Sequence, residues 1–468
     1  MKLYCRECRR TAADIIYWLF IAILVFSWFQ NFRGVTKTEI DRTKGISSDF
    51  SIAFDRPLLA EPEENDEYFG SKTSEDNPKA IMTGVTKLLV MEYKNNSYAT
   101  YPMGYYKAIS LNAKNQSRVL EILCRITGLA EEQIKDLPQD YFPAATGTIF
   151  STGNMTTDKD GSIVFQNENT AGNDEKASRK DKTKKFVPQV SYQEFNGYMR
   201  EMEDMIGEKG SGYSKEMMIT YFGISQMTYE EAYADYNQTI QKDKVTGGFA
   251  RLFCDYMGLS LGLYPVFVVV FMWLKDRTGN TAELIYCRSI SSVKLVVSRY
   301  LADITMVLIP VLLLSLESLI PLISFGAENG LSIDYFAFIK YIFWWLLPTV
   351  MIVSATGIFF TLLTDSPIAI VLQFLWWFID RGLTGLSGNT KITTLMIRHN
   401  TLRGCEIIRD GFETICMNRL LLAGLSIIFV ILSAWILGQK RKGRINAANI
   451  YRKCFGHIQN KFSFSHTK

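Results

Sequence analysis

The sequence predicts an α-helical polytopic membrane protein of six transmembrane helices, with a mainly helical α+β domain inserted between the first and second. Three observations carry that prediction. Apolar runs of membrane-crossing length recur along the chain, more than 200 polar residues separate the first run from the second, and lysine and arginine cluster at alternate ends of the runs. The mean hydropathy of +0.04 then averages two unlike parts, an apolar bundle and a polar insert.

Residues 1–14 form a basic leader (MKLYCRECRR…), expected at the cytoplasmic face, and 15–32 hold the uncharged run IIYWLFIAILVFSWF. A cleaved signal peptide is the rival reading. The run is long and aromatic and no small-x-small site follows it, so it is read as a retained first span. The second span is 256–274 (YMGLSLGLYPVFVVVFMWL), and spans three to five fill 300–379. Within that stretch 300–325 is interrupted by Asp303 and Glu317, 341–364 is continuous, and 366–379 is short and set off only by Asp365. The sixth span is 420–439. A bilayer core requires about 20 apolar residues per helix.

Basic residues near span ends stay on the cytoplasmic side. The leader carries Lys2, Arg6, Arg9 and Arg10; the loop 275–299 has five bases against two acids; the tail 440–468 has eight bases and no acid. Six spans put these three segments on one face, so both termini are expected in the cytoplasm of a plasma-membrane protein. The connection 380–419 is less clear-cut, with six bases and four acids, and falls outside by parity.

The same topology places 33–255 outside. Within it, residues 87–94 (KLLVMEYK) and 98–101 are read as strands. SRVLEILCRIT and SYQEFNGYMREMEDMIG are read as helices, because apolar side chains recur there at helical spacing. Residues 154–185 are poor in apolar residues and are read as a flexible loop. The aromatic and methionine stripes of this domain are read as core rather than as a ligand groove.

Between spans two and three the sequence reads TAELIYCRSISSVKLVVSRYLAD. Asn280 can cap a helix with Glu283 closing a capping box, and Ser291 or Ser292 can cap a second helix that enters the third span. On residues alone, two readings stand level: a short helix offered to a partner, or an interfacial connector whose charges meet only water. The stretch resembles the loop between spans two and three of ABC-2-type permeases, the membrane subunits of ATP-driven exporters. LLPTVMIVSATGIFFTLLTDSPIAIVLQFLWWF resembles their fourth and fifth spans, MNRLLLAGLSIIFVILSAWIL their sixth, and ARLFCDYMGLSLGLYPVF their second. The likeness covers residues 250–440 and the first span. It is closest to the subgroup with a large extracellular domain after span one, whose bundle is of the type V exporter kind.

The resemblance implies that Asn280, Glu283, Leu284, Tyr286 and Arg288 form a coupling helix for a separate cytoplasmic ATPase, that Mg-ATP binds on that partner, and that a second permease half completes the transporter, as a homodimer or a paralogous heterodimer. It further implies re-entrant helices in 380–419, where the short fifth span and Gly382, Gly385 and Gly388 also suggest a chain that turns back. A bacterial origin is implied too.

The chain itself lacks the chemistry of an engine. No G-x-x-x-x-G-K-[ST] loop occurs; Gly70-Ser71-Lys72-Thr73 has only the end of one. Three histidines and no tight carboxylate cluster leave little for catalysis or metal binding, so no catalytic residue, bound cofactor or metal is expected. Cys5 and Cys8 are a single C-x-x-C pair, whereas structural zinc takes four ligands. Glu317 is a candidate for a transport path, since an ionisable group within a span is a functional candidate by default. Cys405 and Cys416 are a candidate disulfide. The alternative function is a membrane-anchored extracellular binding, immunity or sensor protein without transport. A membrane enzyme acting on lipid or cell-wall precursors is a third reading.

Overall fold

The computed structural model describes residues 2–45, 56–66, 68–102, 106–138, 141–142, 155–157, 163–165, 186–208, 210–278, 290–384 and 390–444. The chain divides into two compact units. One comprises Met1–Ser51, Pro57–Glu61 and Tyr233–Lys468; the other comprises Ile52–Arg56 and Pro62–Ala232. The second unit is thus narrower than the 33–255 insert expected from hydropathy, because helix continues well past the apolar runs on both flanks.

In the first unit the leader is itself helical, α1 (Lys2–Ala12), with Glu7 and Thr11 buried. Asp14 then caps α2 (Ile15–Asn31), its Oδ1 accepting from Ile16 N at 3.0 Å. Only one face of α2 is covered: Tyr17, Phe20, Leu24 and Trp28 are buried at helical spacing, while Trp18, Leu19, Phe26 and Phe29 are exposed. That pattern suits a helix with lipid on its far side. Gly34, at φ +91°, turns the chain into α3 (Val35–Thr43).

The second span is broken. α10 (Thr246–Leu261) ends near Gly262, and α11 (Pro265–Thr278) restarts at a proline, which has no N–H to continue the ladder. Broken helices in a membrane need their freed carbonyls satisfied. Here Trp377 Nε1 donates to Leu259 O at 2.9 Å and Gln373 Nε2 to Gly262 O at 2.7 Å.

Ser291 caps the 37-residue α12 (Ser292–Glu328), its hydroxyl accepting from Lys294 N, as one of the two expected caps. Pro310 cannot donate to Met306 O, and the Tyr17 hydroxyl takes that carbonyl at 3.0 Å. α13 (Ala337–Tyr341) passes through a π-helical turn, Ile342–Leu346, into α14 (Leu347–Thr364). Asp365, at φ +55°, ends that helix before α15 (Ile368–Thr384). A short α16 (Cys405–Asp410) precedes the 30-residue α17 (Phe412–Arg441). α14 is central, packing against α11, α12, α15 and α17.

Among the described residues five helical segments are long and apolar enough to cross a bilayer: Ile15–Thr43, Thr246–Asp276, Ser292–Glu328, Ala337–Thr364 and Phe412–Arg441. The stretch expected as a further span forms α15, whose 17 residues reach only roughly 25 Å. Residues 390–404 are irregular backbone rather than helix, yet 394–399 are buried.

The second unit has its own core, built by α4 (Pro78–Asn95), α5 (Ala113–Thr127), α6 (Glu131–Lys135), α7 (Tyr192–Ile206) and α8 (Lys215–Phe222). α9 (Tyr229–Asn237) contains the boundary between the units. The only sheets among the described residues are antiparallel pairs: β1 (Ser71–Thr73) with β6 (Ile224–Gln226), β2 (Tyr98–Thr100) with β3 (Lys107–Ile109), and β4 (Met155–Thr157) with β5 (Ile163–Phe165). The strand expected at 98–101 is β2, whereas residues 87–94, also expected as a strand, lie in α4. Asn77 and Pro78 start that helix, and Ile81, Val85 and Leu89 continue a four-residue repeat through it. A window beginning at Lys87 cuts off that repeat, which is why the short apolar run looks like a strand.

Candidate functional site

Polar side chains gather at two ends of the membrane unit. At the end formed by α1, the finish of α11 and the start of α12, two arginines and two carboxylates interlock. Arg299 Nη1 lies 2.6 Å from Asp276 Oδ2, and Arg299 Nε lies 3.2 Å from Glu7 Oε2. Arg10 Nη2 donates to Asp276 Oδ1 at 2.6 Å and to Met272 O at 3.1 Å. The Arg299 guanidinium also sits 4.6 Å above the Trp273 ring, a cation–π contact. All four charges are balanced within the cluster, which is the condition for burying them.

The cluster joins three distant pieces of chain. Asp276 lies in the last turn of α11, just before 279–289, and Arg299 lies two turns into the helix that follows that segment. Both flanks of that segment are therefore tied to α1. Lys275 adds a further tie to Asp14. Burial opposes the charged form of Asp14, but the Lys275 ammonium and the Ile16 N–H outweigh it and hold the carboxyl below its ordinary range. Tyr4 O–H donates to Thr305 at 2.9 Å, and Asp303, one turn beyond Arg299, is buried with Oδ2 lacking a hydrogen-bond donor among the described residues. The expected partner-binding residues Asn280, Glu283, Leu284, Tyr286 and Arg288 lie outside the described residues.

At the other end, the buried irregular segment is held by side chains in place of a backbone ladder. Asp255 accepts from His399 N at 2.7 Å, from Asn400 N and from Arg398 Nε. Asp380 accepts from Leu395 N at 2.9 Å and Met396 N at 3.1 Å. The carbonyls are met from α17: Asn418 Nδ2 donates to Ile392 O and Thr394 O, both at 2.8 Å. Arg419 Nη1 donates at 2.8 Å to Trp345 O in the π-helical turn, and at the same distance to Thr349 Oγ1. Thr349 in turn donates to Leu395 O at 2.9 Å. Non-helical backbone at membrane depth is tolerated only when protein satisfies it in this way. The buried His399 ring lies with its Nε2 2.6 Å from Arg403 O.

Sequence reading singled out few of these groups. Asn418 and Arg419 lay inside a quoted motif with no role attached to them. Glu7, Asp276, Arg299, Asp255 and Asp380 are visible as charges at span edges, but nothing in their spacing pairs them.

Glu317 is exposed on α12 and faces away from the unit's core, beside the exposed Leu316 and Ile320, so the structure does not bring it to either cluster. The expected Cys405–Cys416 disulfide is corrected: both thiols are free, and Cys405 Sγ contacts Gln238 Oε1 at 3.4 Å. The two cysteines lie in different helices, Cys405 at the start of α16 and Cys416 in the second turn of α17, on either side of Gly411. Cys5 is exposed and Cys8 half-buried, both free. Lys72 of the GSKT stretch is an ordinary strand residue, neutralised by Asp76 and by Glu231 at 2.6 Å.

Neither the curated proteins nor the solved structures supply a match to this chain. Among protein families, residues 15–396 match the ABC-2 family transporter protein family. That match runs from the first apolar helix into the buried segment and includes the polar insert. Together with the five helices among the described residues that are long and apolar enough to cross a membrane, it makes the chain a member of the ABC-2 family, a multi-pass membrane permease component of an ABC transporter.

Proposed function

We propose that this chain is the permease half of an exporter, driven by a separate ATPase that presses on residues 279–289 from the cytoplasm. Two such halves, each with six spans counting α15, would alternate access to a path between them, with the insert between spans one and two outside the cell. The observation that carries this reading is the Glu7, Arg10, Asp276 and Arg299 cluster. A push on a segment whose two flanks are joined to each other and to α1 moves α1, α11 and α12 together, instead of bending a loose loop. On this reading the α1 end is cytoplasmic, in keeping with the basic leader and tail.

The test is co-purification of the tagged full chain with the ATPase of the same transporter. Glu283→Ala with Arg288→Ala is expected to lower ATPase recovery at least about fivefold, the loss of roughly 1 kcal/mol. Arg299→Ala is expected to leave recovery intact and abolish substrate-stimulated ATP hydrolysis. Undiminished recovery from the double variant removes the coupling assignment.

A further inference from the structure

α3 and the last turns of α12 enclose a groove with a volume of about 170 Å³. Its floor is apolar, made by Ile40, Pro321 and Phe325, and its rim carries Lys37, Lys44, Ser324 and Glu328. The two lysines are seven residues apart, Lys37 on α3 and Lys44 at its C-cap, with Ile40 between them, so all three share the side turned toward α12. Lys44 pairs with Glu328 at 2.8 Å across the groove, while Lys37 makes no ion pair among the described residues.

The groove sits where the apolar surface of the bundle ends. On α2 the exposed aromatic surface stops at Phe29, over which the Arg33 guanidinium lies at 4.9 Å. Aromatic and basic residues so placed mark the level where a helix leaves hydrocarbon. On α12 a row of exposed side chains, Ile309, Leu313, Leu316 and Ile320, climbs in steps of three and four residues and reaches the groove at Ser324. Leu313 and Ile320 are each 62% exposed, as lipid-facing residues are. Glu317 lies one turn below Pro321 on the groove side of this row and disfavours an anion seated any deeper.

We propose that this groove binds one anionic phospholipid. Its phosphate sits between Lys37 and Lys44, its glycerol lies on Ile40 and Phe325, and an acyl chain runs down the row from Ile320 to Ile309. A rim of two lysines against one glutamate, an apolar floor and a continuous apolar track match the three parts of such a molecule in order. The space holds a phosphate and glycerol but not two acyl chains, which is why the chains lie along the helix surface. The inference requires only that these helices cross a bilayer, and is independent of orientation and of the ATPase.

Native mass spectrometry of the full chain, released from detergent with added dioleoyl phosphatidylglycerol or dioleoyl phosphatidylcholine, tests it. The natural sequence is expected to retain one phosphatidylglycerol about tenfold better than phosphatidylcholine, in line with the attraction of two lysines for an anionic headgroup. Lys37→Gln with Lys44→Gln loses that preference while retaining phosphatidylcholine and the melting temperature of the parent. Lys2→Gln with Arg9→Gln, on the exposed face of α1, keeps the preference. Equal retention of the two lipids by the natural sequence, or a preference that survives in the Lys37/Lys44 variant, overturns the proposal. Displacement of the lipid by equimolar glycerol phosphate overturns it too, since that would assign the groove to a soluble phosphate.

Discussion

Among the described residues Glu92 is the one buried carboxylate of the second unit, accepting from Ala99 N at 2.9 Å and from the Tyr213 hydroxyl. Burial raises its proton affinity, and those two donors only partly reverse the effect. The folded chain therefore holds this proton more tightly than the unfolded chain. The resulting stabilisation is complete below the ordinary glutamate range and is lost as pH rises through the folded value. Glu92→Gln copies the protonated acid, so its stability should lose that downward slope and stay within about 1 kcal/mol of the parent at low pH. Thermal melts of the two proteins from pH 4 to 8 check this. Asp255 is the opposite case, fully buried and matched to Arg398 and two backbone N–H groups. Asp255→Ala removes the carboxylate that faces the buried Arg398 guanidinium and accepts from two buried backbone N–H groups, and should cost about 3–5 kcal/mol, read by denaturation in lipid nanodiscs. Both residues are plain in the sequence as acids among apolar neighbours. Their donors lie 7 to 145 positions away, and no local pattern points to them.

Among the elements, the segment 391–400, buried from 394 to 399, is the least expected. Its composition, KITTLMIRHN, reads as an ordinary loop, and loops run over surfaces because their backbone needs partners. This one is buried because α10, α14, α15 and α17 each lend a polar side chain to it. Two glycines make the room. A Cβ on Gly248 would lie 2.3 Å from Leu402 O, and one on Gly262 would lie 2.7 Å from Met396 Sδ. The first contact is with backbone and cannot be relieved by a rotamer change. Gly248→Ala should therefore displace the 400–404 backbone and destabilise the membrane unit by about 1–3 kcal/mol, with hydrogen exchange rising at His399 and Asn400. Helical elements were easier to anticipate where caps and periodicity agree. Ser291, one of the two expected caps, accepts from Lys294 N, and the helix read from periodicity in SYQEFNGYMREMEDMIG forms as α7. The strand reading of 87–94 failed where a window was cut inside a longer helical repeat.

For the whole molecule, the second unit carries a closed hydrophobic core in which Ile81, Leu89, Ile122, Leu123, Phe195 and Met199 are fully buried. It should fold alone: residues 62–232 expressed without the spans are expected to be monomeric and helical and to unfold in one cooperative transition. A circular dichroism melt without cooperativity would refute this. The membrane unit cannot be separated in the same way, because α1 and the far end of the sequence close its two polar clusters. By itself the sequence determined that the chain is a membrane bundle with a large polar insert, and to which family it belongs, since length, hydropathy and the order of spans are properties of consecutive residues. Only the tertiary structure decided which charges neutralise one another, where the second span breaks, and that a non-helical segment can be buried. Each of these depends on a donor meeting an acceptor across the fold, and in a low-dielectric interior the free energy lies in the completed pair rather than in either residue.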